Sequence, residues 1–325
     1  MADVADRMRA LVVTRPRTCE VQLVPTPIPG PGQVLVRIEG SGLCAAGLAL
    51  WEGRPGIGYP YAAGAPGHEG WGRVVRVGRD VTRVEVGARV ALRSSRALAE
   101  YDVASEGAVV PLPATLRGHE VPGEAIGGVV SAWRCSRIEP GQLVAVLGVG
   151  FAGALLIQLA ARAGARVIAL SQRPWSLRLA ARMGAFETIP LALDDRAIVA
   201  QLDELTGGRG CERVIEATGW PRGLELAGAL CRIRGRLVLA GAHPDGARAL
   251  GRFHWTWRGL DVVDAQPADP DAAVAAIAAG VDALASGLLD VAPLYTHRLP
   301  LHRAGEAFEL LRTRPDGFVK ALLTP

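Results

Sequence analysis

The chain has 325 residues, half of them apolar but only 5% aromatic, with a formal net charge of +4 and a pI near 9.0. This length allows two domains with separate cores, built mainly from Ala, Val and Leu. The positive charge comes almost wholly from scattered arginines, with one lysine, Lys320, and no stacking-aromatic motif, which argues for a solvated surface and against nucleic-acid binding.

Met1–Arg9 is polar and the next apolar run is too short for a signal peptide. The five cysteines, Cys19, Cys44, Cys135, Cys211 and Cys231, are odd in number and form no CxxC pair. That pattern fits a reducing cytoplasm and excludes a disulfide scaffold. Arg9–Thr14 and Val21–Leu23 read as the first strands. A turn-rich run with Pro25, Pro27, Pro29 and Pro31 follows. Gln33–Glu39 alternates as a half-buried strand should. After Gly40–Cys44 a short helical segment leads to Trp51, then a Gly/Pro/Tyr loop spans Gly53–Pro66. Strand-like segments at 72–78 and 87–92 complete what reads as a small β-barrel over roughly the first 115 residues. Glu120–Arg137 reads as a helical linker.

The stretch from Gln142 to Gln172 carries the strongest signal. Leu143–Leu147 is a β-branched apolar run, a buried strand. Gly148, Gly150 and Gly153 follow at G-x-G-x-x-G spacing, then an apolar helix, Phe151–Ala163, closed by Gly164. Arg166–Leu170 is a second strand. Strand, glycines, helix and strand within about thirty residues mark a dinucleotide-binding fold, whose helix N-terminus receives a pyrophosphate. A membrane span is the rival, since Leu143–Ala161 is uncharged; the glycines and the immediate return to a strand speak against it. Pro174 opens the next helix, which ends near Gly184. Four further strands, Glu187–Pro190, Arg213–Ala217, Arg236–Ala240 and Leu260–Asp264, make six in a parallel, doubly wound sheet. Ala272–Leu284 is a final Ala-rich helix. The tail holds a strand-like segment, a helix at Arg303–Arg312 and a closing strand at Val319–Leu323.

Several motifs resemble the medium-chain dehydrogenase/reductase family, in its zinc-containing alcohol and polyol dehydrogenase branch. They are G-x-C at Gly42–Cys44, LWEG at 50–53, GHEGWGRVVRVG at 67–78, VGARV at 86–90 and GVGFAG at 148–153. They keep the family's order over nearly the whole chain. The resemblance implies an α/β protein: a discontinuous GroES-like β-barrel catalytic domain, 1–120 and 290–325, plus a Rossmann coenzyme-binding domain, 121–289. It implies an active site in the interdomain cleft and a homodimer or homotetramer; no membrane partner is expected, since the span-like run reads as strand, glycines and helix. The family's structural-zinc lobe, with its four close cysteines, is absent; Leu92–Glu100 passes where it would sit.

By the same resemblance Cys44 and His68 match the first two catalytic zinc ligands, and Glu69 the acid beside the histidine. Glu124, by its distance ahead of Gly141, matches the glutamate of the polyol branch; the cysteine of the liver-type enzymes falls on Gly123. Cys, His and carboxylate are zinc ligands, and a catalytic site keeps one position open. Each residue also has a plain reading, Cys44 as a small core hydrophobe and Glu124 as a solvated helix residue. The proton relay departs from the family. The hydroxyl position is Ala46, the aspartate that orients the ligand histidine is Gly47, and the relay histidine is Ala49. Such groups are worth ~10²–10⁴-fold in proton transfer and ~10–100-fold behind a metal ligand. Glu52, Glu69 and His254 are the replacement candidates, although FHWTW around His254 also reads as a surface or interface stretch.

GVGFAG supplies Gly148, Gly150, Phe151, Ala152 and Gly153 to the cofactor. Where NAD-binding relatives place an acid on the ribose hydroxyls, this chain has Ser171, followed by Gln172 and Arg173. Losing the carboxylate removes repulsion against a 2′-phosphate, and Arg173 offers it a charged contact. NADP(H) is therefore expected, with NAD(H) as the alternative. Lys320 matches a basic residue near the pyrophosphate. The expected function is zinc-dependent, NADP(H)-preferring interconversion of an alcohol and a ketone or aldehyde on a polar small molecule, with one catalytic zinc. An alternative keeps the hydride but delivers it to an iminium or polarised C=C, which needs no proton on oxygen. A catalytically silent nucleotide-binding paralogue is a third reading, disfavoured by the intact glycines and ligand set.

Overall fold

Alternation builds the first strands: β1 (Arg7–Arg15) exposes Arg7 and Arg9 and buries Met8 and Ala10, and it pairs antiparallel with β2 (Thr18–Pro25). A second sheet holds β3 (Gln33–Gly42), β4 (Glu69–Val77), β5 (Arg89–Leu92), β6 (Tyr101–Ser105) and β7 (Val109–Pro111). The one-and-a-half-turn helix α1 (Leu48–Glu52) sits between β3 and β4, and α2 (Gly123–Ser136) follows β7. The sequence reading has no counterpart to β6 and β7. In β6 the inward positions are Asp102 and Ala104, so the expected apolar alternation is broken by an acid, and β7 has only three residues ending in Pro111.

The structure is a computed structural model that describes residues 4–243, 253–267 and 269–325. It divides into two units, Met1–Gly127 with Pro267–Gly287 and Val291–Pro325, and Gly128–Gln266 with Leu288–Asp290. The second unit alternates strand and helix: β8 (Leu143–Leu147), α3 (Phe151–Arg162), β9 (Arg166–Ser171), α4 (Pro174–Arg182), β10 (Glu187–Pro190), α5 (Asp195–Thr206), β11 (Cys211–Glu216), α6 (Pro221–Leu230), β12 (Cys231–Leu239), α7 (Phe253–Arg258) and β13 (Asp261–Asp264). The strands run parallel in the order β10-β9-β8-β11-β12-β13, the doubly wound order expected. The uncharged run that resembled a membrane span is a five-residue strand and a twelve-residue helix. Among the described residues no helix is long and apolar enough to cross a membrane. Local chemistry sets the helix ends. Pro174 takes the first turn of α4, and Asp194 accepts the Ala197 N–H at 2.9 Å to cap α5, which stops at Gly207 with φ 64°.

The chain then returns to the first unit. In α8 (Pro270–Ala285), Ile277 and Val281 pack with Ala91, Val110, Leu116 and Val121. Residues 267–287 therefore lie with the barrel unit, where the sequence reading of 121–289 places them with the nucleotide domain. β14 (Tyr295–Pro300), α9 (Ala304–Thr313) and β15 (Lys320–Thr324) complete the barrel sheet, ordered β14-β15-β3-β4-β5-β7 with β6 also on β3. One core cluster in this unit joins Leu11, Val13, Trp51, Phe308, Phe318 and Leu323. Trp51 and Phe308 stack with centroids 4.6 Å apart and planes 7° from parallel.

This stack generates a stability test. Phe308 is fully buried, so Phe308→Ala should cost about 3–5 kcal/mol by lost burial and the cavity left behind. The exposed Ile233 makes the reference, with Ile233→Ala expected within about 0.5 kcal/mol of wild type. Urea unfolding followed by far-UV circular dichroism measures both, and equal small losses would refute the role given to the stack.

Candidate active site

The site in the first unit is assembled by the β3–β4 register. Gly42 ends β3 directly opposite Glu69, which begins β4. Past Gly42 the Leu43 N–H bonds the Ala321 carbonyl at 3.0 Å, and Cys44 then caps a single 3₁₀ turn, Ala45–Gly47. His68 precedes β4 by one residue. The ligand atoms of Cys44, His68 and Glu69 consequently lie within 4.8 Å of one another. Glu124 enters from the first turn of α2, with Oε2 4.0 Å from His68 Nε2. Three of the four predicted metal residues thus form a tight group, and the fourth faces the His68 Nε2 from 4.0 Å.

His68 Nδ1 lies 3.1 Å from the Pro66 carbonyl oxygen. A carbonyl only accepts, so Nδ1 carries the hydrogen and Nε2 is turned toward Glu124. Burial alone would press the His68 ring toward its neutral form. The hydrogen bond with Cys44 and the charges of Cys44, Glu69 and Glu124 outweigh it and raise the pKa to about 9. Burial raises the Glu124 carboxyl, helped by Glu69 and opposed by His68, Lys320 and Arg93. The Pro66 carbonyl does what the family's missing aspartate would do. Gly47 is where that aspartate would stand, and a Cβ there would come 2.9 Å from Pro66 Cγ.

Glu69 and Lys320 form a buried ion pair, their side chains 1% and 6% exposed. Lys320 Nζ donates to Oε1 at 2.6 Å and lies 2.5 Å from Oε2. A Cβ on Gly42 would fall 1.9 Å from that Oε2, so the glycine of the G-x-C motif makes room for the carboxylate. Lys320, expected near a pyrophosphate, is placed on Glu69. Arg314, in the turn after α9, is pushed down by burial and up by the nearby Cys44. Nothing in the sequence pointed to Arg314 or to the Pro66 carbonyl.

A cavity of about 840 Å³ opens beside His68 and Glu124. Its polar lining includes Arg93, Ser94, Arg96, Tyr101 and Asp102. Ala46 is exposed and Ala49 half-buried, with neither on the cavity wall. Of the relay candidates, Glu52 is exposed at the end of α1, away from the cavity lining, and the His254 side chain lies outside the described residues. The donor set suits zinc: a thiol, an imidazole with its Nδ1 already anchored, and carboxylates. Because Lys320 neutralises Glu69, Cys44 and His68 are the uncommitted donors, with Glu124 facing the His68 Nε2.

In the second unit the three glycines have separate roles. Gly148 adopts φ 94°, turning the chain out of β8. Gly150 caps α3, and nothing lies within 4 Å of where its Cβ would be, leaving the helix N-terminus open to an anion. A Cβ on Gly153 would sit 1.9 Å from the Gly148 carbonyl oxygen, so this glycine lets helix and loop pack. Phe151 and Ala152 form the first turn of α3. Ser171 is buried at the end of β9, and Arg173 caps α4. Sequence reasoning missed Glu216, fully buried at the end of β11. It accepts the N–H groups of Thr218 at 2.7 Å and Gly219 at 3.1 Å, fixing the turn beside the glycine loop's own strand.

Comparison with known proteins agrees with this geometry. Residues 30–114 match the alcohol dehydrogenase GroES-like domain and residues 152–280 the zinc-binding dehydrogenase model. An alcohol dehydrogenase of Rhizobium meliloti (strain 1021) is 30% identical over 261 residues, covering 69% of this chain and 74% of that protein. An erythritol/L-threitol dehydrogenase of Mycolicibacterium smegmatis is 28% identical over 370 residues, 99% of each chain. Among solved structures, a short chain alcohol dehydrogenase from Escherichia coli CFT073 complexed with NADH superposes with TM-score 0.86 at 20% identity, over 99% of this chain and 100% of that one. A protein of Sinorhizobium meliloti 1021 bound to NADP gives TM-score 0.82 at 24% identity, over 99% and 100%. Motifs, fold and relatives together make this chain a member of the medium-chain dehydrogenase/reductase family, an oxidoreductase of the alcohol and polyol dehydrogenase type.

Proposed function

We propose that the protein is a zinc-dependent, NADP(H)-preferring oxidoreductase that interconverts an alcohol and a ketone or aldehyde on a polar small molecule. The observation that carries this reading is the cluster of Cys44, His68 and Glu69, with Glu124 facing the His68 Nε2, at the edge of a polar cavity. Cys44, His68 and Glu124 would hold the metal, and a zinc there would polarise a carbonyl as a Lewis acid. The Pro66 carbonyl holds the imidazole in one tautomer, and Lys320 keeps Glu69 charge-neutral at close quarters. Ser94, Tyr101 and Asp102 on the cavity wall supply hydroxyl and carboxyl groups, so proton transfer does not depend on the family's relay positions. The cofactor preference rests on Ser171, which puts no carboxylate at the end of β9, and on Arg173 two residues later. The same reading carries a cytoplasmic setting, consistent with five unpaired cysteines, and a homodimer or homotetramer.

Metal content tests the zinc directly. Protein purified without chelator should contain about one zinc per chain by elemental analysis, and Cys44→Ala or His68→Ala should lose it. Fully active protein free of metal would end the zinc reading.

Cofactor choice is tested by fluorescence titration with NADPH and NADH. A charged contact from Arg173 to the 2′-phosphate should give NADPH at least about a tenfold advantage. Arg173→Ala should remove it, and equal affinities in the wild type would make Arg173 a surface residue.

The anchoring of His68 gives a third test. Gly47→Asp restores the family's aspartate, but its Cβ collides with Pro66 and should dislodge the carbonyl that holds Nδ1. Zinc affinity, measured by competition with a chromogenic chelator, should fall by about 10–100-fold, the range for partners behind a ligand. Tighter zinc in this variant would show that Pro66 is not the anchor.

A further inference from the structure

The segment replacing the family's zinc lobe is bound directly to the loop that carries His68. The Ala97 N–H bonds the Gly67 carbonyl at 2.9 Å and the Leu98 N–H the Gly64 carbonyl at 3.0 Å. Arg96 forms a β-bridge with Gly67. This approach is possible only because Gly64 and Gly67 lack side chains. A Cβ on Gly64 would lie 2.2 Å from the Arg96 carbonyl oxygen, and one on Gly67 would lie 2.3 Å from the Leu98 nitrogen. On the other side, the Arg93 N–H bonds the Ala108 carbonyl at 2.8 Å. The backbone of Arg93–Arg96 is therefore fixed relative to His68, and both arginines reach the cavity that opens at His68 and Glu124.

Both guanidiniums belong to exposed residues, and neither is in an ion pair among the described residues. Asp102, 6% exposed, lines the same cavity. Its Oδ1 accepts the Val103 N–H at 2.8 Å, while Oδ2 is buried without a hydrogen bond. The Ser94 hydroxyl and the Arg96 N–H lie close enough to favour its charge, yet neither completes a bond to Oδ2. The Ser94 hydroxyl is likewise buried and unsatisfied. A buried acceptor and a buried hydroxyl facing a cavity call for a hydroxylated ligand. Two unpaired guanidiniums beside them call for an oxyanion.

We propose that Arg93 and Arg96 bind an anionic group of the substrate, so that the enzyme acts on a polyhydroxylated acid or phosphate whose reacting carbon lies at the His68 and Glu124 end of the cavity and whose hydroxyls meet Asp102 and Ser94. This rests on the dehydrogenase reading above and names its substrate class. The cavity is within the size range of small-molecule sites and has room for a six-carbon chain.

The test uses the full-length enzyme as purified with its metal, saturated with NADP, and three probes of matched length. D-gluconate carries a carboxylate, sorbitol 6-phosphate a phosphate, and sorbitol neither. Calorimetry should show at least one anion binding about tenfold or more tighter than sorbitol, with an advantage that shrinks as salt rises because the arginines are exposed. Preference for gluconate assigns a carboxylate and preference for the sugar phosphate a phosphate. Arg93→Gln with Arg96→Gln should abolish the ratio, and Arg→Lys at both positions should retain part of it. Equal binding of all three probes, binding of none, or an unchanged ratio in the double Gln variant would overturn the proposal. Turnover separates the two readings. Oxidation of sorbitol without anion preference sinks the substrate class alone, whereas anion binding without turnover of any probe sinks the alcohol dehydrogenase reading and leaves the arginine site standing.

Discussion

The ion pair between Glu69 and Lys320 is the constraint on which the first unit depends. It joins the start of β4 to the start of β15, residues 251 apart in sequence, inside the sheet where β15 lies beside β3. Removing one partner of such a buried pair typically costs about 3–5 kcal/mol, because the other charge is left without compensation. The pair needs Gly42 to be a glycine, and Gly42 is two residues from Cys44. The last strand therefore does more than close the barrel. It brings the only lysine of the chain to the acid next to the metal-type histidine, and so decides that Glu69 is a neutralised neighbour while Cys44 and His68 face outward.

Around that pair the chain has replaced side-chain functions with backbone ones. The histidine is oriented by the Pro66 carbonyl instead of an aspartate, in space that Gly47 leaves empty. The lost lobe is replaced by a short segment held to Gly64 and Gly67 by backbone hydrogen bonds. Both changes trade a flexible side chain for a fixed group, which loses less conformational entropy on ordering. They also make the region intolerant of added bulk. The run from Gly64 to Gly67 packs against Arg96–Leu98 with no room for a methyl group at either end.

The second unit was legible in the sequence almost strand by strand. Its strands are buried on both faces, so β8 and β9 read as continuous apolar runs, and the glycines and Pro174 punctuate them where the backbone demands it. Most of the barrel strands were legible too, β3 through its alternation and β4, β5 and β15 as short apolar segments. β6 escaped because Asp102 points inward, and the affiliation of α8 escaped because an Ala-rich helix does not reveal which sheet it covers. The metal-type residues were found through motifs whose spacing is local: Cys44 follows Gly42, and Glu69 follows His68. Their partners were not found, since Pro66, Lys320, Arg314 and Arg96 act through contacts made across the fold.

This last group explains how a site with so much negative charge is stable. Glu69, Glu124 and Asp102 all belong to the barrel unit, and like charges at close range are unfavourable in a partly buried setting. Each has a basic group at hand: Lys320 acts on Glu69, Arg93 on Glu124 and Arg96 on Asp102. Lys320 is buried and fully engaged by its acid, so it is structural. Arg93 and Arg96 are exposed and act on their acids from a distance, so their guanidiniums keep hydrogen-bonding capacity for another molecule. In sequence these arginines looked like parts of one scattered, solvated surface charge, and Lys320 like a residue beside the cofactor. The fold sorts them by burial into those that hold the site together and those that face what enters it.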